Sequence, residues 1–553
     1  MHRPTAPESA DFRPFPAFSL IWAITALVHQ LAFTFWTESW DGWVLVLAAV
    51  AVVHRPECIL RFAILVVASL THLWQKLPFV PNHILYEGML HLVMLLGLVG
   101  FFARGAGRRE LASSGRAWKS GSLLLILALG LKAAYFLVPG VPKGYLLGAP
   151  TTLFVLVALY RLLFGPPAIR HGDDWYRAVA PVLRVAVVAM YAWAVVQKLN
   201  SDYFNHEVSC ATKLHKEIAL YFGGLVPTAP WTFPLVEVGS LVFEGGIPLL
   251  LCFRRTRLAG LVAAVVFHLW LSIHPAAGIF SFTSLILALL FLFYPAEWGK
   301  ELQALWNTQL RWLGGSDIDR GRLRARRLVV GGFFLTLIVQ AALYLAIARS
   351  YEVFHTANRI GFVAFFAWGL WIGACYLVAA WRARRTSAAL PGGFRPTLAW
   401  IGLVPILLNG AWPWLGGRTQ TSFSMYSNLR SEGSGNHLFL KRTDWFKLQE
   451  DMVEVLTSAP NLLAPSHRPT GIQQFANLGH HILPWFEFRR LVSEMEGDFE
   501  ATYTRHGEEL SLGRKDGKPY GDPEAFEPLP LLQRKFVWFR RLESLEGPMG
   551  CTH

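Results

Sequence analysis

The chain has 553 residues, 53% of them hydrophobic and only 16% charged, where a soluble domain carries roughly 25% charged residues. With 22 Trp and 39 Phe it reads as a polytopic membrane protein and not a soluble enzyme. The formal net charge of +14 does not point to nucleic acid, because the Lys and Arg residues gather between alternate apolar runs.

Residues 1–16 are polar and Pro-rich, show no cleavable signal pattern, and read as a cytoplasmic tail. Apolar runs near the ~20 residues needed to cross a bilayer follow. They lie at roughly 17–36, 41–55, 58–75, 83–103, 118–138, 143–163, 178–198, 232–253, 258–275, 277–295, 328–348, 360–381 and 396–414. Arg55, the basic group at 104–119, Arg170, Arg177, Arg254–Arg257, the arginines at 320–327 and those at 382–395 fall on one side of these runs. The alternate loops carry only Lys76, Lys143, Lys213, Lys216, Arg349 and Arg359. This asymmetry places the N-terminus inside and the C-terminus outside, and it retains the short second run as a span.

Residues 415–553 return to Pro, Gly and charge, with irregular loops expected at 460–470 and 513–528. The expected fold is an all-α polytopic membrane bundle of about thirteen transmembrane helices with a small C-terminal extramembrane α+β or β-rich domain. Its parts are a tail at 1–16, a first membrane domain at 17–300, further helices at 301–414 and an outer domain at 415–553. No internal repeat is visible, which disfavours a transporter.

Polar side chains inside apolar runs are candidate functional groups. Lys198 closes the seventh run, where an ammonium group must snorkel, pair or lose its proton. The fourth run opens with Asn82, His83, Tyr86, Glu87 and His91. His83, Glu87 and His91 share one helix face, a pattern open to metal binding but more simply structural. Glu237 and Glu244 lie in the eighth run and His268 in the ninth. Lys132 is a partner for Glu87 or Glu244. His29 and His72 read as packing residues, Arg161 as a snorkelling residue, and His480 and His481 as surface residues. Topology puts Asn82, His83, Lys198 and His268 at one level near the outer side, the usual signature of a ligand or active site. The cysteines have no metal-ligand spacing. Cys58, Cys252 and Cys375 belong with the spans. Cys210 and Cys551 fall outside them on one side, free to pair as a disulfide or stay reduced.

At these residues the chain resembles the vitamin K-dependent γ-carboxylases and the wider horizontally transferred transmembrane (HTTM) domain family, over about residues 17–300. Tyr191 to Tyr203 is similar to the family's Y-x-x-A-x-x-x-K-L-D-x-D-W segment, with Lys198, Leu199, Asp202 and Tyr203 in place. Asn82-His83-Ile84-Leu85-Tyr86 resembles its N-H-x-L-Y element. Glu237 to Glu244 resembles its acid-bearing helix, and Phe267-His268 with Ser272, Gly278, Phe280 and Ser281 its F-H-x-x-x-S pair. Glu297-Trp298 resembles the P-E-W that follows. The departures are Val195 for a glycine, Gln197 for the animal enzymes' second lysine, and Asn200 for the first aspartate. Residues 421–430 resemble the same point in the family, which implies a return over the site as an outer lid.

The resemblance implies a lysine base, Lys198, acting on a reduced naphthoquinone (vitamin K or menaquinol). Oxygen then reacts with the quinol, and the strongly basic oxygen species that results removes a γ-proton from a protein glutamate, which adds carbon dioxide. His83 and His268 would share the catalytic site, while Asn82, Tyr86 and Glu244 would hold the quinol, and no metal is implied. The implied partners are membrane quinol and an outer-side protein or peptide, in the bacterial inner membrane. The alternative is a non-enzymatic HTTM protein of peptide maturation, secretion or interaction.

Overall fold

The computed structural model describes residues 12–32, 39–104, 172–274, 279–346, 351–386, 389–443, 445–459 and 481–551. The apolar runs at 118–138 and 143–163, Lys132, Arg161, His480 and the loop expected at 460–470 lie outside these residues. The protein is mostly helical with a small C-terminal antiparallel sheet. Six described helices are long and apolar enough to cross a membrane. They are α1 (Pro14–Ala32), α4 (Asn82–Ala103), α5 (Gly172–Lys198), α7 (Thr232–Cys252), α11 (Ile318–Ala346) and α12 (Tyr351–Arg382). Further helices, shorter or less apolar, are α2 (Trp40–His54), α3 (Ile59–Lys76), α6 (Cys210–Phe222), α8 (Arg257–Ser272), α9 (Ile279–Leu290), α10 (Ala296–Gly314) and α13 (Leu403–Ala411).

The chain divides into two compact units, each discontinuous in sequence. The first is drawn from Met1–Thr71, His91–Leu183 and Leu290–Ile401. In it α1 packs on α2, α11 and α12, and α10, α11 and α12 pack together. Pro14 opens α1, where its missing N–H is no loss. The Phe15 N–H donates to Asp173 Oδ1 at 2.9 Å, so a remote carboxylate caps this helix. Gly361 lets α12 approach α1 closely, since a Cβ there would meet the Leu31 carbonyl oxygen at 2.7 Å.

The second unit is drawn from His72–Leu90, Arg184–Leu289 and Gly402–His553. Here α7 packs on α6 and α8. Its five-stranded antiparallel sheet has the order β2-β1-β3-β4-β5. The strands are β1 (Met452–Ala459), β2 (His481–Pro484), β3 (Phe499–Arg505), β4 (Glu508–Lys515) and β5 (Lys518–Tyr520). Phe499, Ala501 and Tyr503 alternate inward along β3 and pack with Val453, Val455, Leu483 and Leu512 against Phe488 of α14 (Trp485–Glu494). Two two-residue turns, His506-Gly507 and Asp516-Gly517, have positive φ at both positions, which suits tight hairpins. The second turn corrects the irregular loop expected from residue 513, because the Asp498 carboxylate accepts both turn N–H groups.

Candidate functional site

Every residue described below as part of the site lies in the second unit. Lys198 is the last residue of α5, and four carbonyls at this helix end need partners. The Val196 carbonyl accepts from the His437 ring at 2.8 Å, and the Gln197 carbonyl from Asn200 Nδ2 at 2.9 Å. The Lys198 carbonyl accepts from the Asn200 N–H and the Leu199 carbonyl from the Leu438 N–H, each at 2.9 Å. All four are satisfied, so the helix end is fixed and Lys198 with it.

Its ammonium group does not snorkel to the surface. Nζ donates to Glu244 Oε2 of α7 at 2.7 Å, and the two side chains are only 7% and 16% exposed. Two opposite charges in an apolar setting lose hydration and regain it only through each other. Both line a cavity of about 160 Å³ whose wall is otherwise largely apolar, with Met190, Phe267, Trp270, Leu271 and Phe282. Drug-sized pockets run to roughly 300–1,000 Å³, so this one suits a small ring or head group.

The start of α4 supplies Asn82, His83 and Tyr86 to the same wall. His83 Nε2 shares a 2.9 Å hydrogen bond with Ser281 Oγ of α9. Asn82 Oδ1 accepts from the Phe423 N–H at 2.9 Å, and the Tyr86 ring meets Phe423 edge-on at 5.6 Å. The Tyr86 hydroxyl is buried with no hydrogen-bond partner among the described residues. His91, two turns further on, accepts instead from the Trp22 indole at 2.9 Å.

His268 stands behind the wall, with its neighbours Phe267 and Trp270 lining the cavity in its place. Its Nε2 shares a 2.6 Å hydrogen bond with the Tyr191 hydroxyl, and its carbonyl accepts from Ser272 and Thr283, each at 2.9 Å. It therefore ties α8 and α9 to α5 seven residues before Lys198. Glu237 also stands apart, accepting from Thr212 Oγ1 at 2.8 Å and so joining α7 to α6.

Residues 419–430 complete the wall through Phe423, Met425 and Tyr426. Four non-glycine residues here, Thr421, Phe423, Tyr426 and Asn428, have φ between 55° and 65°. Each such residue costs of order 1 kcal/mol, so the segment needs many restraints. Gln197 Nε2 donates to the Gly410 and Ser422 carbonyls, and Asn200 Nδ2 to the Ser427 carbonyl. Asn428 accepts from the Cys210 N–H at 2.7 Å and donates to the Val208 carbonyl at 2.9 Å. The two departures beside the lysine, Gln197 and Asn200, thus grip this segment. An aspartate in place of Asn200 could accept but not donate. A disulfide joins Cys210, the first residue of α6, to Cys551, with Cα atoms 4.9 Å apart.

Residues 175–298 match the HTTM domain family. The HTTM domain segment takes in most of α5 and all of α6 to α9, and so Lys198, Glu244 and His268, while Asn82, His83 and the 419–430 segment fall outside it. No curated protein and no solved structure matches the chain. Together with the six long apolar helices, the HTTM domain makes this a membrane protein. Among the described residues, no group of three His, Cys, Asp or Glu side chains is arranged to hold a metal ion.

Proposed function

We propose that the cavity takes the ring of a reduced naphthoquinone or a similar lipid-soluble phenol, and that Lys198 with Glu244 removes its proton. The observation that carries this reading is a directly paired lysine and carboxylate on the wall of a small apolar cavity. A bound quinol supplies an acidic ring hydroxyl and a ring that reacts with oxygen. In this reading Lys198 Nζ takes that proton once its own has passed to Glu244, and the 2.7 Å pairing supports such a relay. The unpartnered Tyr86 hydroxyl is a donor for a ring oxygen, and His83, fixed by Ser281, is a second polar contact. Asn82 holds Phe423 over the ring, and His268 positions α5 through Tyr191.

By the resemblance of these residues to the γ-carboxylases, the reaction extends to carboxylation of a protein or peptide glutamate on the outer side. The proposed setting is the bacterial inner membrane, crossed about thirteen times, with the N-terminus inside and the C-terminal domain outside. The alternation of basic loops supports this orientation, and so does the Cys210–Cys551 disulfide, since disulfides persist in oxidising compartments.

The test uses the purified protein in nanodiscs with reduced menaquinone and oxygen, following the quinone epoxide by chromatography. Epoxide from the native protein and none from Lys198→Ala is the expected result; none from the native protein rejects the reading. Lys198→Arg separates a second reading, favoured by the 2.7 Å pairing itself, in which Lys198–Glu244 is a packing element of a non-enzymatic protein of peptide maturation, secretion or interaction. A guanidinium cannot serve as a neutral base, so Lys198→Arg is expected to lose epoxide formation, and a biological role retained by it supports the second reading.

A further inference from the structure

The end of α6 and the loop that follows present an apolar surface that nothing among the described residues covers. Leu220 and Leu225 are 83% and 85% exposed, and Tyr221, Phe222 and Trp231 between and beyond them are exposed as well. From Ile218 to Val236 the sequence has no Asp, Glu, Lys or Arg. Only Ile218, Ala219 and Val226 gather into a small core beneath this surface. A loop in water rarely shows so continuous a patch of large apolar side chains.

The patch continues without a charged break into α7, a helix long and apolar enough to cross a membrane. Leu235, Val238, Val242 and Leu249 are exposed along that helix, as lipid-facing residues are. The first half of α6 carries Lys213 and Lys216, both exposed. Lysines followed by a charge-free apolar stretch that includes a Tyr and a Trp are the arrangement of a segment lying in the bilayer interface.

We propose that residues 220–231 are embedded in the interfacial layer of the bilayer that α7 crosses, so that α6 is a membrane-seated helix and its loop is not a water-exposed connection. The inner side of α6 lines the cavity through Ala211, Leu214, His215 and Ile218, so one cavity wall has its end in lipid. The inference does not depend on what the cavity binds.

The experiment places a nitroxide label on Leu225→Cys and, separately, on Leu220→Cys. Cys58, Cys252 and Cys375 are replaced by alanine and the Cys210–Cys551 disulfide is kept. The full chain sits in nanodiscs, with labels at Leu235→Cys on α7 and Asp516→Cys in the β4–β5 turn as references. Collision with dissolved oxygen and with a water-soluble nickel chelate is then measured. High oxygen and low nickel access at 225 and 220, matching 235 and giving a depth of about 5–10 Å below the headgroup boundary, is the expected result. Nickel access like that at 516 shows a water-exposed loop and overturns the proposal. Low access to both reagents shows cover by a protein surface and overturns it equally.

Discussion

The cavity is closed by two kinds of structure that solve the same problem differently. On one side, helices α4, α5 and α7 satisfy their own backbones and so can carry a few costly side chains inward, Lys198 and Glu244 above all. On the other, residues 419–430 follow an irregular path with four left-handed non-glycine residues, held by Gln197, Asn200, Asn409 and Asn428. In the helices the backbone is self-sufficient and the side chains are free for chemistry. In the covering segment the side chains are spent on the backbone.

The comparison breaks most sharply at the ion pair. Lys198→Ala leaves a buried carboxylate without its cation and is expected to cost about 3–5 kcal/mol, while Lys198→Met combined with Glu244→Leu recovers most of the loss. Thermal unfolding in detergent measures both; equal melting of native and single variant would mean that the pair is solvated. Next comes the covalent link between α6 and the C-terminal segment. Cys551→Ser is expected to cost about 2–4 kcal/mol, and intact mass with and without reductant tests the link itself.

Asn200→Asp probes the covering segment together with the end of α5 that it grips. It removes the donor to the Gln197 and Ser427 carbonyls and is expected to cost about 1–3 kcal/mol in the same melt. An unchanged melt would show that the segment holds without Asn200.

The smallest effect concerns Glu217 on α6, whose Oε2 lies 3.1 Å from Nε2 of His274 at the end of α8. The His274 hydrogen bond holds the Glu217 carboxyl below its ordinary value of 4.5 against the opposing effect of burial. A depressed carboxyl stabilises the fold above its ordinary value and loses that contribution as pH falls through the lower, folded-state value. Glu217→Gln is therefore expected to flatten the acid limb of the stability profile slightly, and identical limbs would remove His274 from the account.

The helical half of this comparison was legible in the sequence. An ionisable residue at the end of an apolar run is conspicuous because hydrocarbon makes it costly, and Lys198, Glu244, Asn82, His83 and Tyr86 all meet at one wall. His268 was conspicuous for the same reason and stands one layer back, because periodicity fixes a helix face and not which neighbour reaches the cavity first. The runs at 258–275 and 277–295, already parted in the sequence, form helices of only 16 and 12 residues, short of the ~20 that a bilayer crossing needs. The covering segment was legible only as a lid-like stretch. Ser, Thr and Asn mark irregular backbone without saying which carbonyl each side chain will meet. Gln197 and Asn200 looked like departures from a pattern; what they hold lies more than two hundred residues away.

The disulfide has a consequence in time. Its two cysteines are 341 residues apart in sequence, and at roughly 5–20 residues per second Cys210 is made on the order of tens of seconds before its partner. During that interval the first residue of α6 carries a thiol, and the helix that forms one wall of the cavity has no covalent anchor. The wall that α6 contributes is pinned to the C-terminal segment only once Cys551 has been made, so a chain halted after the membrane helices has Lys198 in place and α6 without its covalent tie.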